Sequence, residues 1–509
     1  MKKIVFLFIV VSQSIFAQET FSVDKLASRI RFSGESVQMD NEANIGSLGH
    51  GFEVFGLSSK YPDWYFGVTS YAAITGIRSG FIVFGVSTGV QKKLFTDWLS
   101  YDIGLFLGGG GGSGAPDGGG FMVRPHLEVQ ADVSKRMALR AGVSAVEFPS
   151  GEIGSVNFTL GAVINTDIYL VNQAVTKIQK SEDASFFKGI DVSLLSSNLF
   201  NFSKGPLKQN VNVNKNAPTI SLLGVALKSR NQHNNFYGVL KLGGAFIGEV
   251  DGFMMLLTGI GYEYPITHWL SLEAKGLIGG AGGGNVDFGG GLAAQFDVGL
   301  GVNYSNYLAN INIGNTYAPN GNFKSNHVDF SIGKKFEIYS NSTIEKQELI
   351  NAANLKKEDF TFSVFNRSYL SKDKPDKLKR PYDQIFNLLG FELEKKITSR
   401  VGLLGATVWA YQGNYGAYAE GWLGLKYYQP VTEKLQITAK GMLGAAGGGD
   451  INLGSGMVMQ YSLGLHKKIN NRWSFITNIG QVRPVLDGNF TPFFVDLGLK
   501  LNLSQLVKK

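Results

Sequence analysis

Trp269-Leu-Ser-Leu-Glu-Ala-Lys-Gly-Leu-Ile-Gly279 is the stretch whose reading decides the fold. In an extended chain Leu270, Leu272 and Ala274 fall on one side, and Ser271, Glu273 and Lys275 on the other. A period of two is that of a β-strand with one apolar and one polar face. The segment runs on into Gly282-Gly283-Gly284. The pattern occurs twice more. Trp98–Gly108 sets Leu99, Tyr101, Ile103 and Leu105 against Ser100, Asp102 and Gly104, then enters a glycine run. Leu435–Gly444 sets Leu435, Ile437 and Ala439 against Gln436, Thr438 and Lys440, then reaches Gly447-Gly448-Gly449.

A second marker keeps the same spacing. Phe148-Pro149-Ser150-Gly151 matches Ala318-Pro319-Asn320-Gly321, and more loosely Arg483-Pro484 with Asp487-Gly488. The interval from Trp98 to Trp269 equals that from Pro149 to Pro319 within one residue. The interval from Leu270 to Leu435 equals that from Pro319 to Pro484. Two markers at one spacing indicate three copies of one unit.

The strand after each glycine run also alternates. Phe121, Val123, Leu127 and Val129 oppose Arg124, His126, Glu128 and Gln130. The matching polar positions are Gln295, Asp297 and Gly299, then Gln460, Ser462 and Gly464. In the second copy eight strands are expected near 190–202, 218–229, 236–247, 253–264, 269–281, 290–304, 308–318 and 327–338. The other copies accept the same count. The chain then uses about 20 residues per strand and turn, the economy of an up-and-down antiparallel transmembrane β-barrel.

Composition agrees. Glycine is 66 of 509 residues, well above the usual share of about 7%. Charged residues are 17% and aromatics 12%, which excludes a disordered chain. The absence of cysteine excludes disulfides and cysteine-held metals. Met1-Lys2-Lys3, the apolar run Ile4–Val11 and Ala17 read as a signal peptide cleaved before Gln18. No later apolar stretch is long enough for a membrane-spanning helix.

Short polar turns lead into aromatic strand starts, as in Phe95-Thr-Asp-Trp98 and Ile266-Thr-His-Trp269. Trp64, Trp98, Trp269 and Trp473 sit where a girdle at a lipid–water boundary would place them. The short turns are assigned to the periplasmic side. The variable connections Ser203–Pro218 and Ser371–Asp383 are assigned to the extracellular side.

The expected organisation is a signal peptide at 1–17, barrel repeats at 18–167, 190–338 and 359–509, and partly helical linkers at 168–189 and 339–358. Ile168, Val171, Val175 and Ile178 recur at helical spacing in the first linker. Ser342-Thr-Ile-Glu345 in the second is a capping-box pattern, followed by Leu349, Ile350 and Leu355. Three separate eight-stranded barrels are favoured over one 24-stranded barrel, because the inferred inner faces are mostly small or uncharged. An eight-stranded interior is just wide enough for side chains to fill.

Arg124, His126 and Glu128 are the densest ionisable row on one face. They read as an interior charge network before an acid/base site, because the other copies replace all three. Six scattered histidines, without an H-E-x-x-H pair or a clustered Asp/His set, give no expected metal site. Gly109–Gly114 fits G-x-G-x-x-G but precedes no helix, so no phosphate cradle or cofactor is expected. The recurrent hairpin glycines Gly108, Gly111, Gly279, Gly282, Gly283, Gly444, Gly447 and Gly448 imply either a sharp bend or a close contact. The net charge of +8 is spread over turns and linkers, which speaks against nucleic-acid binding.

The signal peptide, the alternating strands, the polar turns into Trp-Leu-Ser and the glycine-rich hairpins together resemble bacterial outer-membrane β-barrel proteins. That resemblance implies an outer-membrane location, lipid and the outer-membrane assembly machinery as partners, and a cell-surface face. It departs at the end of the chain, where the strand Phe493–Leu503 leads to Ser504–Lys509 without a terminal aromatic. The functional expectation is a non-enzymatic structural, adhesive or surface-binding role. The alternatives are a passive channel or export pore made by one large barrel, an outer-membrane enzyme acting on lipid or peptide, and a soluble secreted β protein.

Overall fold

The structure is a computed structural model describing residues 23–58, 60–171, 184–201, 219–230, 235–248, 250–341, 355–370, 376–379, 386–413 and 415–508. All regular elements described are antiparallel strands joined up and down. The first eight are β1 (Val23–Val37), β2 (Ile45–Phe55), β3 (Trp64–Thr75), β4 (Ile82–Lys93), β5 (Leu99–Gly111), β6 (Phe121–Asp132), β7 (Met137–Glu147) and β8 (Gly154–Val171). The next are β9 (Ala184–Asn201), β10 (Ile220–Arg230), β11 (Phe236–Ile247), β12 (Met254–Pro265), β13 (Leu270–Gly282), β14 (Leu292–Tyr304), β15 (Tyr307–Tyr317) and β16 (Lys324–Asn341). The last are β17 (Leu355–Leu370), β18 (Phe386–Lys396), β19 (Val401–Gln412), β20 (Ala419–Pro430), β21 (Leu435–Gly447), β22 (Met457–Lys468), β23 (Trp473–Pro484) and β24 (Phe493–Lys508).

Register settles how these strands close. β1 pairs with β8 from Val23↔Val171 to Glu35↔Thr159. β9 pairs with β16, and β17 with β24, in the same way. Each group of eight thus returns on itself, and a single residue pair, Ile338 with Val507, joins the second group to the third. One wide 24-stranded barrel does not form. The expected linkers are shorter than the sequence suggested. β8 extends to Val171 and β9 begins at Ala184, so Ile168 and Val171 lie on a strand. Likewise β16 extends to Asn341 and Leu355 starts β17. Val175, Ile178, the Ser342–Glu345 pattern, Leu349 and Ile350 lie outside the described residues, as do the signal peptide and the connection Ser203–Pro218.

The two strand faces separate as the alternation requires. On β5 and β6 Ser100, Asp102, Arg124, His126, Glu128 and Gln130 are buried inside, while Ile103 (55%) and Leu127 (50%) are exposed outside. Inside each barrel the polar residues run from the short-turn end up to the cap, as far as Glu35 on β1 and Glu420 on β20. The other end is filled by an apolar cap, which the inferred inner faces did not anticipate. In the first barrel it contains Tyr71, Phe81, Phe106 and Phe148. In the second Phe288 stacks on Phe323 at 4.5 Å beside Phe253. In the third Tyr369, Phe386, Tyr418 and Phe490 pack edge to face or tilted.

The barrels also touch one another in a closed ring. β3 of the first meets β13 of the second, β11 of the second meets β21 of the third, and β19 of the third meets β5 of the first. Each contact joins the third strand of one barrel to the fifth of the next, a head-to-tail arrangement that closes after three steps. The glycine runs lie at these contacts. Gly80 (φ +84°) and Gly282 (φ +153°) sit so close that a methyl on either would overlap the other's backbone. Gly252 and Gly447 repeat this between the second and third barrels. The glycines therefore serve both purposes that the sequence left open: left-handed backbone at the hairpin, and close approach of a neighbouring chain segment.

Gly282→Ala is expected to lower stability by about 1–3 kcal/mol, since it adds a strained φ to a clash. Gly441→Ala, whose methyl would meet nothing within 4 Å, is expected to be neutral or slightly stabilising. Thermal unfolding midpoints in detergent micelles check the pair; equal midpoints would remove the packing role assigned to Gly282.

Candidate functional site

Beneath its cap each barrel interior holds a buried ion-pair network. In the first barrel β1 directs Arg29 and Arg31 inward, because residues two apart share a face. Arg29 pairs with Glu53 on β2 and with Asp102 on β5 at 2.6 Å. Arg31 reaches Glu128 on β6 at 2.5 Å and Glu53 at 3.6 Å. Arg140 on β7 bridges Asp102 (3.0 Å) and Glu128 (2.7 Å). Arg124 pairs with Glu35 at 2.8 Å. His126 Nε2 lies 3.0 Å from Asp102 Oδ1, which also accepts the Tyr65 hydroxyl at 2.9 Å. The row Arg124, His126 and Glu128 is thus drawn together within a larger set. Its partners Arg29, Arg31, Glu35, Glu53, Asp102 and Arg140 were not singled out from sequence.

The second barrel uses lysine instead. Lys228 bridges Glu263 and Glu273 at 2.6 Å each. Lys241 pairs with Asp329 at 2.6 Å and Lys275 with Asp297 at 3.3 Å. His327 Nε2 lies 2.7 Å from Asp297 Oδ1. Asp297, His327 and Asp329 do form a clustered Asp/His set, with ligand atoms within 4.8 Å of one another, which the sequence did not show. They come from β14 and β16, strands not adjacent in sequence, so spacing could not show them. Lys241 and Lys275 already supply the positive charge that a cation would bring to these carboxylates.

In the third barrel Arg367 pairs with Asp496 (2.8 Å) and Glu420 (3.1 Å). Glu420 also accepts the Tyr418 hydroxyl at 2.6 Å and the Trp422 indole N–H at 2.8 Å. Lys426 pairs with Glu392 and, at 2.9 Å, with Glu394, and Lys440 reaches Glu392 at 2.8 Å.

The four tryptophans stand at strand starts on the short-turn side, with Trp64 and Trp98 exposed by 54% and 55%. Trp269 and Trp473 are also exposed. At the opposite end Asp117, in the turn between β5 and β6, accepts the Gly112 N–H at 2.8 Å and is covered by Gly416 of the third barrel. Burial pushes its carboxyl up to about 7, against a smaller opposing effect of the hydrogen bonds and Arg78.

No family model matches the chain, and no curated protein matches it. Among solved structures it is similar to Pseudomonas aeruginosa OpdQ, at 7% identity over 95% of this chain and 99% of that one, with a TM-score of 0.22. It is similar to OccAB3 of Acinetobacter baumannii, at 10% identity over 95% and 99%, with a TM-score of 0.23. The siderophore receptor PirA of Pseudomonas aeruginosa matches at 8% identity over 94% and 80%, with a TM-score of 0.29. OpdK, named as an outer membrane protein, was solved with vanillate. The structural, adhesive or surface-binding role expected from sequence is corrected here: none of these four proteins is named for such a role, whereas PirA is named a siderophore receptor and OpdK was solved with vanillate.

Two measurements address the network and the buried carboxyl. Glu128→Ala leaves Arg31 and Arg140 short of a partner, and a loss of about 3–5 kcal/mol is expected from chemical unfolding. A loss below about 1 kcal/mol, as for an exposed pair, would contradict the burial of this network. For Asp117 the folded pKa lies above the unfolded value of about 4. Its contribution is therefore fully present below pH 4 and is lost as pH rises through about 7. Asp117→Asn is expected to flatten the fall in melting temperature between pH 4 and pH 7; an unchanged profile would show that Asp117 does not cause it.

Proposed function

We propose that the chain is an integral protein of a bacterial outer membrane, built from three homologous eight-stranded barrels that each cross the bilayer. Each barrel is a narrow conduit for small ions, shut in the present state by its apolar cap. The outward residues support the membrane reading: Leu160, Ile260, Ile313, Leu463 and Ile479 are all more than half exposed on strand midsections. Water would meet those side chains at a cost, whereas hydrocarbon would not. Outer-membrane lipid and the assembly machinery are the partners this reading calls for.

The interior charges carry the conduit reading. Buried ion pairs stabilise a fold no better than apolar packing of the same volume. Ionisable groups at membrane depth mark ion or proton paths more often than structure. Three barrels retain such networks with different residues, and each network reaches from the short-turn end up to the cap. Partners are shared, as Arg140 is between Asp102 and Glu128, so a passing ion can exchange with a neighbour rather than face an unpaired charge.

Purified protein in planar lipid bilayers is expected to be mostly silent, with brief small openings. Phe106→Ala combined with Phe148→Ala removes two rings of the first cap and is expected to lengthen or enlarge those openings several-fold. If both proteins stay as silent as a bare bilayer at every voltage, the conduit reading fails. Retention in membranes after carbonate washing checks the location separately.

A further inference from the structure

The closed ring of barrels encloses an axis, and the strands facing it are β4, β12 and β20, each flanked by the two contact strands of its barrel. Their register is equivalent: Ile82 pairs with Gly111, Met254 with Gly282 and Ala419 with Gly447. At this level the axis is sealed. Ile82, Ala72 and Trp409 form one buried cluster with Phe84, Met254 and Ala419 packed against it, and Phe84 stacks on Trp409 at 5.9 Å.

Below the seal the barrels part. Gly421, two residues beyond Ala419, is exposed, and a methyl on it would meet nothing within 4 Å. Six residues beyond the seal, about 20 Å along the strand, Ile260 is 67% and Leu425 52% exposed, with all three barrels present. The flanking contact strands open too, at Ile103, Leu272 and Leu403. On the axis-facing strands the outward residues below the seal are Val86, Ile260, Leu423 and Leu425, followed towards the short turns by Tyr262, Tyr427 and the exposed Lys92.

We propose that this space is a binding site for diacyl phospholipid, with the acyl chains against the apolar lining and the phosphate near Lys92 and the two tyrosines. Apolar surface of this extent is costly to leave in water, and tyrosine with lysine at its rim suits a headgroup boundary. Lipid would complete the axis where protein packing stops. The inference rests on the membrane reading above.

The chain has no cysteine, so single cysteines can report on the site. Leu425→Cys on the axis and Ile479→Cys on the outer wall of the third barrel would each carry a thiol-linked fluorophore in the full chain. The vesicles contain phosphatidylcholine with brominated acyl chains, and iodide serves as the aqueous quencher. The expected result is a comparable loss of fluorescence to brominated lipid at both sites, with little loss to iodide. Quenching at Leu425→Cys by iodide, or by neither agent, while Ile479→Cys responds to lipid, overturns the lipid site alone. Failure of brominated lipid to quench Ile479→Cys overturns the membrane reading and the site with it.

Discussion

Backbone pairing between the first and last strand of each group of eight is the constraint on which the structure depends. Once β1 is hydrogen-bonded to β8, the interior is only as wide as side chains can fill, and no strand edge is left along the paired length. Every inward residue must then meet another from across the barrel. A charge placed there has no bulk water to solvate it, so it must find an opposite charge at close range. Arg29 between Glu53 and Asp102, Lys228 between Glu263 and Glu273, and Lys426 between Glu392 and Glu394 are three solutions of that one requirement.

The same closure explains the glycines. A barrel wall studded with outward side chains cannot approach another wall closely. Where glycine replaces those side chains, backbone meets backbone, as at Gly80 with Gly282 and at Gly252 with Gly447. The third contact departs from this. Ala417, also at positive φ (+71°), stands where the other barrels have Gly80 and Gly252. That contact relies more on aromatic surface, with Phe84 against Phe391 and Trp409 and Phe121 against Tyr411. The ring is thus threefold in its strand contacts and not in its chemistry.

Strand positions and faces were legible because each side-chain row alternates with period two over a whole strand. The second-copy strands expected at 236–247 and 253–264 correspond to β11 and β12 within one residue at each end. The apolar caps were not read, although a signal existed. Tyr71–Ile74, Phe81–Phe84 and Met254–Leu257 are continuous apolar runs at strand ends. Such a run marks burial on both faces, here by the barrel's own cap and by the adjacent barrel. The networks were legible only in part. Arg124, His126 and Glu128 lie on one strand, whereas Asp297 and His327 meet over the intervening β15 from positions 30 residues apart. Pairing across a closed wall depends on strand tilt and register, and a one-dimensional pattern fixes neither.

The divergence of the three networks separates what closure demands from what it leaves free. It demands balanced charge within a fixed volume below the cap and apolar filling at the cap itself. It leaves free which residues supply them. The first barrel meets the demand with arginines, whose planar guanidinium groups span two carboxylates at once. The second uses lysines, compact point charges on flexible stems, with His327 wedged among the carboxylates. A forked arginine shared by two acids is held in place from both sides. A lysine such as Lys228 meets two acids from a single nitrogen. Equal envelopes therefore enclose interiors whose charges are anchored differently, by forked groups in the first barrel and by point charges in the second.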